Sequence, residues 1–336
     1  MSDSFSATGE KDMIYQIKTA LRNWSDKSDV GSMVFQVARS WFARFMLLVP
    51  DEKYAQWFHK LYCKKGLDLK NPKTFDEKLW WLKLNNRDPL LTRCSCKNEV
   101  RGYVKECGYE DILLPQVGVY DDVNQIDFKD FEGMGEIIFK CTHGSGENYI
   151  LSPDKPANLK SFRRRFRYAL KQNAYWFSRE WNYKNIKRKI VAEKVVRDQA
   201  GRLPLDYKFM CFDGEPKLLF LDLGLYTDDL IYNEKYPRNI YDMDFNLLPV
   251  WETRPNADYE VKKPENFERM VEIARKLSQP FPHCRVDLYN LDGKIYFGEI
   301  TFYHGGGCND VQPVEWDLRI GSWIDIHSPK IKRIKK

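Results

Sequence analysis

The most informative stretch of this sequence is a predicted β-hairpin: Arg285-Val-Asp-Leu-Tyr-Asn-Leu-Asp-Gly-Lys-Ile-Tyr-Phe-Gly-Glu-Ile-Thr301. Residues that favour β-strands lie on both sides of Asp292-Gly293, a dipeptide typical of tight turns between antiparallel strands. A similar signal, Asp213-Gly214, lies between the apolar runs 207–212 and 216–223. The second half of the sequence therefore predicts a sheet that contains hairpins.

The register of the predicted hairpin determines where its charged side chains point. A three-residue loop, Asp292–Lys294, would place Asp287 opposite Glu299. Arg285 and Thr301 would then share the face of the two acids. A strict two-residue turn would send the acids to opposite faces, so the spacing permits their pairing without requiring it.

Two carboxylates that face each other across a sheet repel, so such a pair implies a compensating cation. Mg²⁺ fits Asp287 and Glu299 because it prefers hard oxygen ligands and completes its shell with nucleotide phosphates. Arg285 would then hold a phosphate oxygen through two hydrogen bonds. The alternative is a solvated hairpin with its polar face outward. The glycine run at 305–307 favours a site, because it lets a ligand approach the backbone closely.

A second phosphate-binding pattern lies upstream, in Ile137-Ile-Phe-Lys-Cys-Thr-His-Gly-Ser-Gly146. It predicts a strand that carries Lys140, followed by a short Gly/Ser loop. The N–H groups of the loop, the Ser145 hydroxyl and the Lys140 ammonium group could together bind phosphate oxygens. The stretch is not a Walker A motif, and His143 suits a loop hydrogen bond as well as a catalytic base.

The rest of the chain predicts an α+β arrangement rather than a repeating βαβ pattern. Helices are expected within residues 12–62 and near 77–84, 94–107, 159–173 and 264–277. Further strands are expected at 113–119, 136–141, 148–151 and 190–196. The helix at 159–173 is amphipathic, with an aromatic face for the core and a basic face for solvent.

The formal net charge of the 336 residues is +6, but its distribution is uneven. Residues 160–190 contain eleven lysines and arginines and one acid, a local charge of +10. The tail at 330–336 adds five more basic residues, which leaves −9 on the remainder. This pattern argues against a nucleic-acid-binding protein and favours packing plus attraction of anionic ligands. The tail suits contact with an anionic membrane or a disordered solubilising terminus.

Cysteine usage and the N-terminal sequence predict a cytoplasmic protein with reduced thiols. The eight cysteines are scattered through a long chain, and the polar, acidic N-terminal segment lacks the features of a secretory signal. No stretch approaches about 18 uninterrupted apolar residues, so a membrane-spanning helix is not expected.

Taken in order, these patterns resemble the ATP-grasp superfamily, and specifically its TupA-like branch, associated with teichuronopeptide and polysaccharide biosynthesis. The resemblance covers roughly residues 66–325. It is carried by an ordered series of motifs: Asn71-Pro-Lys-Thr-Phe-Asp-Glu-Lys78, Lys140-Cys-Thr-His-Gly-Ser-Gly146, Arg179-Glu-Trp-Asn-Tyr-Lys-Asn-Ile-Lys187, Ile190-Val-Ala-Glu-Lys194, Asp206-Tyr-Lys-Phe-Met-Cys-Phe-Asp-Gly-Glu-Pro-Lys217, Arg285-Val-Asp-Leu-Tyr289, Gly298-Glu-Ile-Thr-Phe302, Gly305-Gly-Gly307 and Gly321-Ser-Trp323.

The resemblance implies an ATP-grasp fold, in which two α+β lobes grip ATP and Mg²⁺, here preceded by an N-terminal helical region. It implies five segments along the chain. They are a helical region at 1–65, an associated subdomain at 66–120, a small nucleotide-binding lobe at 121–205, a C-terminal lobe with the metal site at 206–328 and a basic tail at 329–336.

The resemblance also implies roles for particular residues. The nucleotide-binding residues implied in this way are Lys140, Ser145, Gly146, Glu193, Lys194, Lys208 and Arg285. The catalytic residues implied are Arg285, Lys208 and His143. The metal ligands implied are Asp287, Glu299 and Thr301, the last at a position where the superfamily commonly has Asn.

The reaction implied is ATP-dependent ligation of a carboxylate to an amine through an acylphosphate. The substrates expected are an amino acid and a uronic acid or similar carboxylate, joined during assembly of a surface polysaccharide. Two other classes of protein stay open. Asp242-Met-Asp244 suggests a metal-dependent glycosyltransferase, and the basic segments suggest a non-catalytic protein that binds anionic polymers.

Overall fold

The structure is a computed structural model that describes residues 37–38, 40–144, 147–227, 233 and 235–333. The chain divides into two compact units between Pro50 and Asp51. In the first unit, residues 40–45 are helical and lead into a 3-10 turn, Met46–Leu48. The helical prediction for 12–36 lies outside the described residues.

The second unit starts with helices. They are α1 (Asp51–Phe58, continued by a π-helical turn, His59–Cys63), α2 (Phe75–Asn85), α3 (Pro89–Ser95) and α4 (Val100–Glu106). A capping box starts α2, because the Thr74 side chain accepts the N–H of Glu77 and the Glu77 side chain accepts the N–H of Thr74.

The single helix predicted at 94–107 is wrong, because the chain leaves helical geometry at Cys96. Cys96 has an extended backbone (φ −79°, ψ 115°) and follows the last residue of α3. The turn before α4 is fixed by a hydrogen bond from the Lys97 N–H to the Thr142 carbonyl oxygen, at 3.3 Å. This contact with a distant segment redirects the chain, and no local sequence pattern reports it.

A four-stranded antiparallel sheet forms a small lobe. Its strands are β1 (Gln116–Tyr120), β2 (Ile137–Cys141), β3 (Asn148–Leu151) and β4 (Ile190–Lys194), in the spatial order β1-β4-β2-β3. Helix α5 (Leu159–Ala169) covers one face with the fully buried rings of Phe162 and Phe166, which confirms the aromatic face predicted for it. A short helix, α6 (Tyr175–Ser178), and a 3-10 turn, Trp181–Tyr183, lead to β4.

A five-stranded antiparallel sheet forms a larger lobe. The chain adds β5 (Leu205–Phe212), β6 (Glu215–Asp222), β7 (Arg238–Tyr241), β8 (Trp251–Glu252), β9 (His283–Leu291), β10 (Lys294–Thr301) and β11 (Val311–Gln312). Five of these strands pair in the order β10-β9-β5-β6-β7, and β8 pairs with β11. Helix α7 (Phe267–Ser278) packs on one face of the sheet. Helix α8 (Val314–Ser322) contacts α2, because the Asp317 side chain accepts a hydrogen bond from the Phe75 N–H.

The hairpin of β9 and β10 reaches the predicted pairing by a different route. Its turn has two residues with positive φ, Asp292 (49°) and Gly293 (80°), so the expected three-residue loop is wrong. A β-bulge at Gly298 adds one residue farther along β10, and Asp287 pairs with Glu299. The bulge suits glycine because a Cβ on Gly298 would lie 3.0 Å from the Asp287 backbone oxygen.

Cys63 and Cys308 form a disulfide, with their Cα atoms 5.3 Å apart. The expectation of reduced thiols throughout is therefore wrong for this pair. A sequence separation of 245 residues explains why spacing gives no sign of it. The other six cysteines are free thiols.

The basic tail is docked as far as Arg333, so the expectation of a disordered terminus is wrong for these residues. Lys330 Nζ donates a hydrogen bond to the Asp213 carbonyl oxygen at 2.8 Å. The Lys332 carbonyl oxygen accepts the Arg87 N–H at 2.7 Å. Within the described residues, no helix is both long and apolar enough to cross a membrane.

Candidate active site

Arg285 joins the two acids that face each other across β9 and β10. Its Nε and Nη2 donate hydrogen bonds to Asp287 Oδ1 and Oδ2, at 2.7 and 2.6 Å. Nη2 also donates to Glu299 Oε1 at 3.1 Å, and the same oxygen accepts a hydrogen bond from Thr301 Oγ1 at 3.0 Å. The structure thus brings these four residues together, and their roles stay predictions.

Burial and ion pairing act against each other in this group. Burial raises the pKa of Asp287 to about 6, although Arg285 and Lys208 act to lower it. Burial acts in the same direction on Glu299, but Lys97 and Arg285 outweigh it and lower the Glu299 pKa. Both acids are therefore ionised around the guanidinium at neutral pH.

Lys208 lies opposite Asp287 in the pairing of β5 with β9. Its Nζ forms an ion pair with Asp206 and lies 3.5 Å from Asp222 Oδ2 and 3.9 Å from Asp287 Oδ2. Burial opposes the charge of Lys208, but Asp206 and Asp287 outweigh it and raise the pKa. Asp206 and Asp222 are not among the site residues that the sequence implies. The strand period could have indicated Asp206, because it lies two residues from Lys208 on the same face.

Asp287 and Glu299 suit Mg²⁺ by their donor chemistry. Magnesium sites of nucleotide enzymes use one or two carboxylates and take their other ligands from phosphate and water. Asp206 Oδ1 is a buried oxygen with no hydrogen-bond partner among the described residues, so it adds negative charge nearby. The described part of the chain holds no ready cluster of three or more His, Cys, Asp or Glu ligands, so the fit rests on the carboxylate pair.

Lys140 and Glu193 meet on the face of the small sheet that α5 does not cover. Lys140 Nζ donates a hydrogen bond to Glu193 Oε2 at 3.1 Å, and Arg101 Nη1 lies 3.8 Å from Glu193 Oε1. Lys194 is half-buried at the end of β4, where its N–H donates to the Pro115 carbonyl oxygen at 2.9 Å. Arg101 is a further cation that the sequence does not indicate.

Lys97 connects the two groups of charges and is absent from the sequence-based site. Its Nζ donates a hydrogen bond to the Gly144 carbonyl oxygen at 2.7 Å. Burial lowers its pKa, and the charges that act on it include Glu299 of the large lobe and Lys140 and Glu193 of the small lobe. Charges of both lobes thus act on this one side chain.

His143 is held by the end of α5. Its Nε2 lies 3.0 Å from the Ala169 carbonyl oxygen, and burial lowers its pKa. Its Nδ1 has no hydrogen-bond partner in the part of the chain that the structure describes. A catalytic role for His143 stays a prediction. Ser145 and Gly146 lie outside the described residues.

The glycine loop after β10 lies against α2. Gly305, Gly306 and Gly307 all have positive φ (56°, 65° and 72°), a conformation that other residues adopt at a cost. The Gly306 carbonyl oxygen accepts a hydrogen bond from Lys83 Nζ at 2.6 Å. The Gly307 carbonyl oxygen accepts one from Trp80 Nε1 at 2.8 Å. The loop backbone is therefore fixed beside the acids.

His304, at the start of this loop, is a contact of Arg285 that the sequence does not indicate. Its Nδ1 lies 2.8 Å from Arg285 Nη1, and its Nε2 lies 3.4 Å from Glu252 Oε2. Because a guanidinium only donates, Nδ1 accepts and we assign the ring proton to Nε2. Burial lowers the pKa of His304, which agrees with a neutral ring. His304 therefore helps to orient Arg285.

Two α+β lobes, with lysines on one sheet and an arginine between paired acids on the other, define a protein of the ATP-grasp class. The family described as TupA-like ATPgrasp matches residues 77–325. The chain belongs to this family. The resemblance, the fold class and the enzyme class, an ATP-grasp ligase, are thereby confirmed. ATP-dependent ligation of carboxylates to amines is the general reaction of that class.

Solved structures with a related fold include other ATP-grasp ligases. D-alanine–D-alanine ligase from Bacillus anthracis is 16% identical, with a TM-score of 0.43 over 71% of this chain and 69% of that chain. D-alanine–D-alanine ligase from Helicobacter pylori is 13% identical, with a TM-score of 0.40 over 77% and 69%. The ATP-grasp ligase PsnB, complexed with a minimal precursor, is 13% identical, with a TM-score of 0.37 over 73% and 67%. No curated protein matches the chain.

Proposed function

We propose that this protein is an ATP- and Mg²⁺-dependent ligase that joins a carboxylate to an amine through an acylphosphate. The substrates proposed are an amino acid and a uronic acid or similar carboxylate of a surface polysaccharide, in keeping with the TupA-like branch. The observation that carries the proposal is the Arg285 guanidinium between Asp287 and Glu299. Lys97 supports it, because charges of both lobes act on its side chain.

The cations of the site suit transfer of a phosphoryl group. An oxygen of the substrate carboxylate attacks the γ-phosphorus, and ADP leaves with the electron pair of the broken bond. Lys140, Lys208 and Arg285 would neutralise the charge that spreads over the phosphoryl oxygens. A bound Mg²⁺ would supply further charge neutralisation as a Lewis acid, held by Asp287, Glu299 and the Thr301 hydroxyl.

The glycosyltransferase alternative has little support in the structure. Asp242 Oδ1 accepts the N–H groups of Asp244 and Asn246 at 3.0 and 2.8 Å, and its Oδ2 accepts Asn246 Nδ2 at 3.0 Å. The Asp242 carboxylate therefore stabilises the turn after β7. Asp244 supplies a matched control for substitutions at the proposed metal site.

Asp287→Asn and Glu299→Gln are expected to reduce Mg²⁺-dependent ADP release by about 100-fold or more, because each removes a carboxylate that would bind Mg²⁺ and that positions Arg285. The assay contains ATP, Mg²⁺, a panel of uronic acids and a panel of amino acids. Mass spectrometry then identifies any new amide. Asp244→Asn should keep full activity, and full activity in both Asp287→Asn and Glu299→Gln would refute the metal assignment.

Ligand binding can be tested independently of turnover. Thermal unfolding is measured with ATP–Mg²⁺, with UDP-glucuronate–Mg²⁺ and with heparin. A ligand that binds only the folded protein raises the melting temperature. We expect a rise with ATP–Mg²⁺, and a rise with UDP-glucuronate alone would overturn the ligase proposal in favour of a glycosyltransferase.

A further inference from the structure

The segment Arg179–Tyr183 carries one of the motifs that support the family resemblance, but it supplies none of the groups proposed to bind ATP or Mg²⁺. Glu180 lies between α6 and the 3-10 turn that follows it. Asn182 Nδ2 anchors the turn by donating a hydrogen bond to Ser95 Oγ at 2.7 Å. Ser95 is the last residue of α3, two residues before Lys97. The motif is therefore fixed beside the turn that carries Lys97.

The Glu180 carboxylate lies next to the glycine loop. A Cβ on Gly306 would lie 4.0 Å from Glu180 Oε1. Lys83 Nζ, which binds the Gly306 carbonyl oxygen, also donates to the Ser178 carbonyl oxygen at 3.2 Å. Lys83 thus ties the loop to the segment that carries Glu180. Within the described residues Glu180 forms no ion pair, and the cation that acts most strongly on its charge is Lys83.

The Glu180 carboxylate also interacts electrostatically with Glu299 of the proposed metal site. Burial raises the pKa of Glu180, and Glu299 acts in the same direction while Lys83 opposes both. Glu180 and Glu299 both act on Tyr183, three residues along the chain, and Arg285 acts on it in the opposite sense. Glu180 therefore borders the glycine loop, and its charge interacts with that of Glu299.

We propose that Glu180 binds the amine substrate of the ligase. This inference rests on the proposed function and adds the residue that receives the nucleophile. A half-buried carboxylate without a contacting cation suits the ammonium group of a primary amine, such as the α-amino group of an amino acid. The glycine loop that Glu180 borders follows His304, whose Nδ1 lies 2.8 Å from Arg285 Nη1, so an amine held by Glu180 lies on the side of the site where the acyl group is activated.

The same carboxylate can take the proton that the amine must lose. One ammonium proton passes to Glu180, which frees the nitrogen lone pair. The nitrogen bonds to the acyl carbon, and the bond from that carbon to the phosphate oxygen breaks, with its electron pair leaving on phosphate. A second proton passes from nitrogen to the departing phosphate, and the amide keeps the third hydrogen.

Glu180→Gln tests this proposal because the two halves of the reaction can be measured separately. The first half is formation of the acylphosphate, and it is measured without any amine. ATP labelled with ¹⁸O at the β,γ-bridging position is incubated with D-glucuronate or D-galacturonate. Scrambling of the bridging label that depends on the carboxylate reports this half. The second half is followed as amide formed on addition of the twenty amino acids. Hydroxylamine, an uncharged nucleophile at neutral pH, reports acylphosphate that no amino acid captures.

We expect Glu180→Gln to scramble labelled ATP within about threefold of wild type, while amide formation falls about 100-fold or more. Hydroxamate formation from hydroxylamine should persist. Glu299→Gln is the matched control and should lose scrambling and amide formation together. If Glu180→Gln fails to fold, Glu180→Asp is used, with unchanged scrambling and at least about tenfold slower amide formation expected.

Two outcomes would overturn the assignment of Glu180. One is amide formation by the variant within about threefold of wild type, and the other is loss of scrambling and amide formation together, as expected for Glu299→Gln. Failure of the proposed function looks different. Wild-type enzyme that neither scrambles labelled ATP with any carboxylate nor forms an amide would overturn the ligase activity itself, and Glu180 as its amine-binding residue with it.

Discussion

At the scale of single residues, the site is built from charges that depend on one another. Arg285 donates hydrogen bonds to Asp287, Glu299 and His304 through three of its nitrogen atoms. A lysine at this position could keep the charge but could not make the bidentate contact with Asp287. The geometry of the guanidinium, and not only its charge, therefore defines the position of both acids.

His283, in the core beneath this site, leads to a prediction about pH. Its ring packs against Phe75 and Phe212, and its Nδ1 lies 2.9 Å from the Cys211 carbonyl oxygen. Burial lowers the pKa of His283 to about 3. The unfolded chain takes up a proton on this ring near pH 6.5, whereas the folded chain does not until about pH 3. The free energy of unfolding therefore falls as the pH drops below about 6.5.

We expect His283→Phe to remove up to about 2 kcal/mol of the decrease in unfolding free energy between pH 7 and pH 5. Urea unfolding at the two pH values measures this difference. His327→Phe, the same replacement at an exposed position, is the matched control. An identical pH dependence in His283→Phe and wild type would contradict the prediction.

At the scale of elements, the bulge in β10 controls the opposition of the two acids. A Cβ on Gly298 would lie 3.0 Å from the backbone oxygen and 3.3 Å from the Cβ of Asp287. We expect Gly298→Ala to displace Glu299, to reduce ADP release by about tenfold or more and to cost about 1–2 kcal/mol of unfolding free energy. Steady-state kinetics and urea unfolding measure the two effects.

Gly293→Ala, in the turn of the same hairpin, separates activity from stability. Gly293 has a φ of +80°, and a Cβ at this position would have no atom within 4 Å, so alanine would be strained but would not clash. We expect a loss of about 1 kcal/mol in unfolding free energy with activity kept. Equal losses of activity in Gly298→Ala and Gly293→Ala would show that the bulge has no special role.

Local signals in the sequence predict these elements well, and contacts between distant segments account for the errors. Both Asp-Gly hairpins are present because the dipeptide itself favours positive φ at both turn positions. The pairing of Asp287 with Glu299, which the spacing permits without requiring it, is present, but the bulge and not the turn produces it. The break at Cys96 depends on Thr142, which no local pattern could indicate.

At the scale of the whole molecule, the candidate site collects residues from segments far apart in the sequence. Asp287, Glu299 and Arg285 all lie on one hairpin, so their spacing in the sequence could indicate that they meet. Lys97, Glu180 and His304 come from turns whose positions depend on how the chain packs. Sequence analysis therefore gives roles to the acids and Arg285 and gives none to Lys97, Glu180 and His304.

The disulfide between Cys63 and Cys308 gives a prediction at this scale. It connects the turn after α1 to the glycine loop, across 245 residues of sequence. We expect Cys63→Ser/Cys308→Ser to lower the unfolding free energy by about 2–5 kcal/mol, because the cross-link restricts the unfolded chain. Thermal unfolding with and without dithiothreitol measures this, and the reductant should affect wild type but not the double variant.

Cys107→Ser is the matched control for the disulfide, because Cys107 is a half-buried free thiol. Its melting temperature should respond to dithiothreitol as that of wild type does. Thiol titration of the denatured, unreduced protein should find six free thiols. A full set of eight, one for every cysteine of the sequence, would contradict the disulfide.

Because of the bulge, the number of residues between the two acids is odd, and this number can be read from the sequence. Eleven residues separate Asp287 from Glu299, whereas a regular hairpin with a two-residue turn pairs only residues separated by an even number. Deleting one residue between the acids would remove the need for a bulge, and deleting two would restore it. In other members of the family, an odd number of residues between the equivalent acids should therefore mark a bulge or an odd-numbered loop, and an even number should mark a regular hairpin.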